Sequence, residues 1–333
     1  MTTLRYDVLG IGNAIVDVIA RAEDDFLVQQ GMRKGNMALI DEARARAIYA
    51  AMGPAVESSG GSAANTIVGV ASFGARAAFI GKVRDDDLGR TFAHDIRAAN
   101  VAFDTMPATG GSSTARCYIM VTPDGERTMN TYLGAAQDLK PADIGETQVA
   151  SAAVTYLEGY LWDPPQAKEA FVKAAEIAHK NGRRVALTLS DAFCVDRYRT
   201  EFLGLLRKGT VDIVFANEHE LRSLYETADF DSATKVLRSD AKLAVVTRSE
   251  KGCVVVTRDA VESVAAAPVG KVADVTGAGD LFAAGFLVGL ARGKDHRTSA
   301  RLGGLAAAEV IQHIGARPAV SLKALAAENG LPV

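Results

Sequence analysis

The segment Asp274-Val275-Thr276-Gly277-Ala278-Gly279-Asp280-Leu281-Phe282-Ala283-Ala284-Gly285-Phe286-Leu287 carries more information than any other in this chain. Three small residues, Gly277, Ala278 and Gly279, precede an apolar run that predicts a helix over Asp280–Arg292. The first N–H groups of a helix have no acceptor within it, and the helix dipole is positive at that end. Such a start attracts a phosphate or a developing anion. Asp280 stands at the helix start, where its carboxylate is expected to stay ionised and to accept a proton from a hydroxyl. Anion donors beside a base suit transfer of a phosphoryl group to an alcohol. A plain N-cap on a tight turn would use the same residue types.

Outward from this segment, short apolar runs alternate with helical patterns. Strands are expected at Tyr6–Ile11, Ala77–Val83, Ala153–Glu158, Arg184–Leu189, Asp212–Ala216 and Leu243–Thr247. Helices are expected at Ala63–Phe73, Leu88–Ala99, Gln166–Lys180, Glu218–Tyr225 and Thr298–Ile314 as well. That order predicts an α/β fold with a mostly parallel sheet covered on both faces, binding ligands beyond the carboxyl ends of its strands. Residues of about 14–45 and 100–135 break the alternation. Within the second stretch, Ala115–Val121 and Arg127–Leu133 flank Pro123-Asp124-Gly125-Glu126, a hairpin signal. A small accessory sheet built from both stretches, serving as a lid, is expected within one domain spanning 1–333. An edge extension of the main sheet is the alternative.

The 333 residues include 48% hydrophobic and 23% charged side chains, enough for a large core and too apolar for wholesale disorder. A formal net charge of −3 offers no basic excess for nucleic acid or an anionic membrane. Cys117, Cys194 and Cys253 lie far apart without a CxxC pair, which fits a reducing cytosol. The apolar run Leu281–Ala291 is too short to span a bilayer, and Asp7 and Asp17 interrupt the first apolar stretch, against a signal peptide. A cytoplasmic protein, monomeric or homodimeric, is expected. No P-loop, G-x-S-x-G elbow or HExxH occurs, and Ile15 stands where a Rossmann fingerprint needs its third glycine. Asp295-His296-Arg297 is not the protein-kinase H-R-D loop.

The residues Asp274–Leu287 resemble, position by position, the C-terminal signature of the ribokinase-like (PfkB) family of carbohydrate and nucleoside kinases. The resemblance implies a three-layer fold with a small β-sheet lid, Asp280 as catalytic base, and an anion hole from the backbone of Gly277, Ala278, Gly279 and Asp280. Ser59-Gly60-Gly61-Ser62-Ala63-Ala64-Asn65-Thr66 resembles the family's N-terminal signature. There Gly60 and Gly61 would let the backbone approach a polyhydroxylated substrate, with Ser62 beside them. Asn65 can both donate to and accept from a hydroxyl. Gly10-Ile11-Gly12-Asn13 with Asp17 resembles the family's opening strand, whose matching Asn and Asp face the substrate. Gly81-Lys82-Val83-Arg84-Asp85-Asp86-Asp87-Leu88-Gly89 is similar to a scaffold landmark, with Arg84 where glycine is common.

Asn217-Glu218-His219-Glu220 resembles the family's N-x-x-E motif, which implies Glu220 organising Mg²⁺ through water and Asn217 nearby. Arg248 and Gly252 occupy the nucleotide-loop position, and Ala307 and Val310 would wall the ATP adenine or serve as core. Asp274 and Thr276 are compatible with the K⁺ site of some members, although Gly315-Ala316-Arg317-Pro318-Ala319 lacks the serine often found there. Within the family the sequence looks closer to the adenosine-kinase type. Arg127 matches a lid arginine that reaches phosphate, and Tyr160, or else Trp162, matches an aromatic that stacks on the substrate base. The resemblance thus implies ATP and Mg²⁺, and adenosine phosphorylated at its 5′-hydroxyl. The alternatives are a kinase of ribose, fructose or a related sugar, and a non-catalytic nucleoside-binding protein.

Overall fold

The computed structural model describes residues 2–333. In chain order the strands are β1 (Tyr6–Ile11), β2 (Ile15–Arg21), β3 (Met37–Leu39), β4 (Ala55–Gly60), β5 (Ala77–Ile80), β6 (Val101–Phe103) and β7 (Ala115–Val121). Then follow β8 (Arg127–Tyr132), β9 (Ala152–Glu158), β10 (Arg184–Thr188), β11 (Ile213–Asn217), β12 (Leu243–Thr247), β13 (Cys253–Thr257) and β14 (Val261–Val264). Nine of them form the main sheet in the order β14-β13-β12-β11-β10-β9-β1-β5-β6. Pairing is parallel from β6 to β12 and antiparallel only at β13 and β14. The central strands are buried almost throughout, as strands covered on both faces must be.

From β1 the chain builds outward to β5 and β6 on one side and later to β9, β10, β11 and β12 on the other. The strand order therefore reverses between β1 and β9, and a crevice opens beyond their carboxyl ends. Helix Ala278–Ala291 is apolar all round, with ten residues from Leu281 to Leu290 buried. That pattern belongs to a helix inside the core rather than on its surface. It packs between helices Ser62–Ser72 and His296–Val310. A side chain on Gly285 would lie 2.5 Å from the Leu302 backbone, so the close helix–helix contact requires glycine there. Helices Pro165–Lys180, Ala192–Arg207, Glu218–Leu224 and Phe230–Asp240 enclose a second apolar cluster that includes Leu157, Phe171, Phe202 and Val214.

The other five strands form a small sheet, order β3-β8-β7-β2-β4. The expected hairpin is β7–β8, closed by Gly125 N–H donating to the Thr122 carbonyl at 2.8 Å. Two boundaries differ from expectation. Strand β4 lies outside both stretches assigned to the accessory sheet, because its polar sequence AVESSG hides a strand that earns its place by pairing with β2. Strand β6, inside the second stretch, instead pairs with β5 at the edge of the main sheet. No helix among the described residues is long and apolar enough to cross a membrane.

Candidate active site

At the reversal point, Asn13 and Glu158 emerge from the carboxyl ends of β1 and β9. Asn13 Nδ2 donates to Glu158 Oε1 at 2.7 Å, and Ala63 N–H donates to Glu158 Oε2 at 2.9 Å. Both side chains are buried, and Asn13 Oδ1 has no partner. Asn13 is thus committed mainly to the protein rather than exposed as a ligand. Burial pushes the Glu158 carboxyl up to about 7, against the pull of its hydrogen bonds.

Strand β2 carries Asp17 on its half-exposed face, opposite Ser58 of β4 and Cys117 of β7. A side chain on Gly60 would collide with the Asp17 carboxylate, and one on Gly61 with the Asn13 carbonyl. The glycine pair therefore makes room for Asp17 and for the β1–β2 turn, a different reason from close approach to substrate. Beyond it, helix Ser62–Ser72 presents Ser62 and Asn65.

Gly277 has φ 80°, and a side chain there would lie 2.7 Å from the Ala316 carbonyl oxygen, so only glycine fits this turn. Ala278 N–H donates to the Val275 carbonyl at 3.2 Å, which removes it from the expected set of anion donors. Among the described residues the N–H groups of Gly277, Gly279 and Asp280 meet no acceptor, and no protein atom approaches within 4 Å of a side-chain position at Gly279. Two or three N–H donors at a helix start with open space before them make an anion site.

Asp280 Oδ1 accepts from Ser62 Oγ at 2.6 Å, and Asn65 lies one turn after Ser62 on the same helix. Burial pushes Asp280 up to about 6, opposed by Ser62 and Asn65 and reinforced by the Asp17 charge. The expectation of an ordinary ionised carboxylate is corrected to that extent: near neutral pH it is still mostly charged, and a better base than a free aspartate. Burial likewise pushes Asp17 up to about 6, opposed by the charges of Arg127 and Arg317. Two carboxylates more than 250 positions apart in sequence thus share one field.

Arg127, at the start of β8, forms an ion pair with Asp274, the two side chains being 9% and 7% exposed. Asp274 also accepts from Thr276 Oγ1 at 2.6 Å, Thr276 N–H at 2.9 Å and Gly315 N–H at 3.0 Å. Burial raises its pKa, but these bonds and the Arg127 charge win and hold the carboxyl below the usual range. A carboxylate so engaged beside a guanidinium does not fit a K⁺ ligand in this arrangement. The buried pair ties the small sheet to the turn that precedes the anion site.

Along the crevice toward β12, Asn217 and Glu220 form a reciprocal cap. Asn217 N–H donates to Glu220 Oε2 at 3.0 Å, and Glu220 N–H to Asn217 Oδ1 at 2.9 Å. Glu220 is buried and pushed up to about 7 by desolvation. With both oxygens held by Asn217, Glu220 suits contact with a hydrated Mg²⁺ through water rather than direct ligation. Among the described residues no cluster of three His, Cys, Asp or Glu could hold a metal by itself. Arg248 donates to Glu218 Oε2 at 2.9 Å and stacks 3.8 Å over the Phe230 ring, so its charge is already engaged. Gly252 is a turn glycine, φ 82°. Val310 is fully buried, so it is core and not an adenine wall, while Ala307 remains half-buried.

The family model described as "pfkB family carbohydrate kinase" matches residues 46–323. The chain belongs to the PfkB family. An adenosine kinase from Sinorhizobium meliloti is 57% identical, with a TM-score of 0.91, over 98% of this chain and 99% of that one. A "probable sugar kinase" from Rhizobium etli is 53% identical, TM-score 0.93, over 99% and 100%. Fructokinase-1 of Oryza sativa is 31% identical over 240 residues, 70% of this chain and 73% of the relative. This PfkB chain is therefore a phosphotransferase with an alcohol acceptor.

Of the site residues expected from sequence, the PfkB fold gathers Asp17, Gly60, Gly61, Ser62, Asn65, Asp280 and the Gly277–Gly279 turn around one crevice. Tyr160 lies at its edge: its N–H and hydroxyl donate to Ser190 at 3.1 and 3.3 Å. Asp191, Glu220, Asp280 and Glu158 all act on its phenol, which burial raises far above the usual range. Trp162 is excluded as a stacking candidate, being buried against Phe171 and Phe202. Sequence reasoning missed Glu158 and Arg317 as members of the site. Glu158 ends a largely buried strand, and a carboxylate closing a buried parallel strand was the signal available.

Proposed function

We propose that this PfkB kinase transfers the γ-phosphoryl group of ATP to the 5′-hydroxyl of adenosine, giving AMP and ADP. The observation that carries the reaction is the pairing of Asp280 with acceptor-free N–H groups at one helix start, facing Asp17. Asp17 and Asn65 bind the ribose hydroxyls, and Tyr160 packs on the base. Asp280 takes the 5′-hydroxyl proton as the oxygen attacks the γ-phosphorus and the bond to ADP breaks. The N–H groups of Gly277, Gly279 and Asp280 receive the charge on the transferring group. Mg²⁺ accompanying ATP neutralises phosphate charge, and the Asn217–Glu220 pair would hold it through water. The small sheet acts as a lid, and Arg127 leaves Asp274 for phosphate when ATP binds. Extensive similarity to the Sinorhizobium meliloti adenosine kinase supports adenosine as acceptor, and a cytoplasmic role in purine salvage accords with that product.

Similarity to the Rhizobium etli protein and to plant fructokinases favours a second reading, a free sugar as acceptor. ADP release with adenosine, inosine, guanosine, ribose and fructose separates the two. Turnover on fructose or ribose with none on adenosine overturns the substrate but keeps the chemistry. Asp280→Asn is expected to lose about 10²–10⁴ of kcat while retaining the circular dichroism of the parent. Unchanged turnover in that variant refutes Asp280 as base.

A further inference from the structure

Arg317 lies in the loop after helix His296–Val310 and is half-buried, yet no carboxylate among the described residues pairs with it. Its Nε donates to Asn65 Oδ1 at 3.2 Å, and its Nη2 is enclosed without any partner. A guanidinium can only donate, so it must take the oxygen of the Asn65 amide. The Asn65 NH₂ group then points away from Arg317; Asn65 stands one turn after Ser62 on the same helix face, Ser62 Oγ donates to Asp280 Oδ1 at 2.6 Å, and Asn65 lowers the proton affinity of that carboxyl. Left alone, an asparagine beside a carboxylate and a hydroxyl substrate could present either end.

We propose that Arg317 is a positioning residue for phosphoryl transfer: by holding the Asn65 oxygen it fixes Asn65 as a donor to the carboxylate of Asp280. The inference rests on the reading of Asp280 as base. Arg317 also places a positive charge near Asp17, with Asp95 the other carboxylate acting on it. The groups facing Asp280 are Ser62 and Asn65 from helix Ser62–Ser72, Asp17 from β2, Tyr156 and Glu158 from β9, and Tyr160 just beyond it. Among the described residues Ser62 Oγ donates to its carboxylate at 2.6 Å, and Asn65 is the other side chain that lowers its proton affinity. Losing the directed Asn65 bond therefore weakens the ionised form and leaves the negative neighbours unopposed.

The test is a double-mutant cycle of Arg317→Met and Asn65→Ala, read as kcat/KM against pH on the wild type's best acceptor. Arg317→Met is expected to lower kcat/KM at pH 7 by about tenfold or more, the scale of one hydrogen bond to a charged group. The acid limb is expected to move up by about one pH unit, while KM for ATP stays unchanged. The double variant should lose no more than Asn65→Ala alone, and Arg317→Lys, which keeps a donor, should recover most of the loss. Additive losses, or an unmoved acid limb with only a lowered melting temperature, overturn the inference. If Asp280→Asn retains turnover, the base and the inference fall together. If Asp280→Asn abolishes turnover and the cycle is additive, the inference alone falls.

Discussion

Replacing Glu158 by Gln tests the electrostatics of the crevice floor directly. The carboxyl is 1% exposed and pushed up to about 7, whereas a glutamate in the unfolded chain titrates near 4.5. The native state therefore keeps a proton that the unfolded state gives up, and stability falls as pH rises from about 4.5 to about 7. The loss is complete above that window, and at 1.36 kcal/mol per pH unit it amounts to about 3 kcal/mol. Gln is neutral and of the same shape. Its oxygen can accept from Ala63 N–H, and its NH₂ can donate to Asn13 Oδ1, which now has no partner, once the Asn13 amide turns over. The bonds from Ala63 and Asn13 to the charged form are already contained in the shift to about 7 and are not subtracted again. Glu158→Gln is thus expected to be indistinguishable from the parent at pH 4.5 and more stable than it by about 3 kcal/mol at pH 8, the whole of the parent's loss. Urea unfolding across that range measures both. Asp17 and Glu220 shift in the same direction and tilt the parent curve too, but they cancel in the difference between the two proteins. A Gln variant with the parent's pH slope, or a lower midpoint at pH 8, refutes the reasoning.

Arg127→Met strands Asp274 in a buried site but leaves it three donors from Thr276 and Gly315. A loss of about 2–3 kcal/mol in urea unfolding is expected, at or below the usual cost of breaking a buried pair. An unchanged midpoint would show that the pair adds nothing. Gly277→Ala forces a side chain onto φ 80° and against the Ala316 backbone. It should lower stability by about 1–3 kcal/mol and cut kcat more than it raises KM, checked by thermal melting and ADP release. Tyr160→Leu should raise KM for adenosine by roughly 5- to 100-fold with KM for ATP unchanged, the scale of one base–aromatic stack. An unaffected KM would place the base wall elsewhere.

Much of the site was legible because its residue types are forced by backbone geometry. Gly277 must adopt a positive φ against Ala316, and the N-terminal position of Asp280 follows from the start of the apolar run. What stayed hidden was polar pairing between distant segments. Arg127 reads in sequence as a lid arginine that reaches phosphate, and nothing in the chain announces its carboxylate partner 147 positions away. Arg317 takes no role from the sequence, in a loop read there only for its missing serine, and its partner is 252 positions away. Val310 has the same apolar character as a ligand wall, and only its depth in the core tells the two apart. Strand β4 was missed because a polar edge strand has neither an apolar run nor clear alternation.

By itself the chain determined the β/α alternation, the buried helix after Gly277 and the small-residue turn that opens that helix. These follow from hydrophobic period and backbone freedom, which are local properties of a sequence. Tertiary structure alone decided that β1 and β9 adjoin, bringing Asn13 to Glu158, and that Asp17 of the small sheet shares the field of Asp280. Proton affinities depend on burial and on neighbours through space, so no spacing along the chain could fix them.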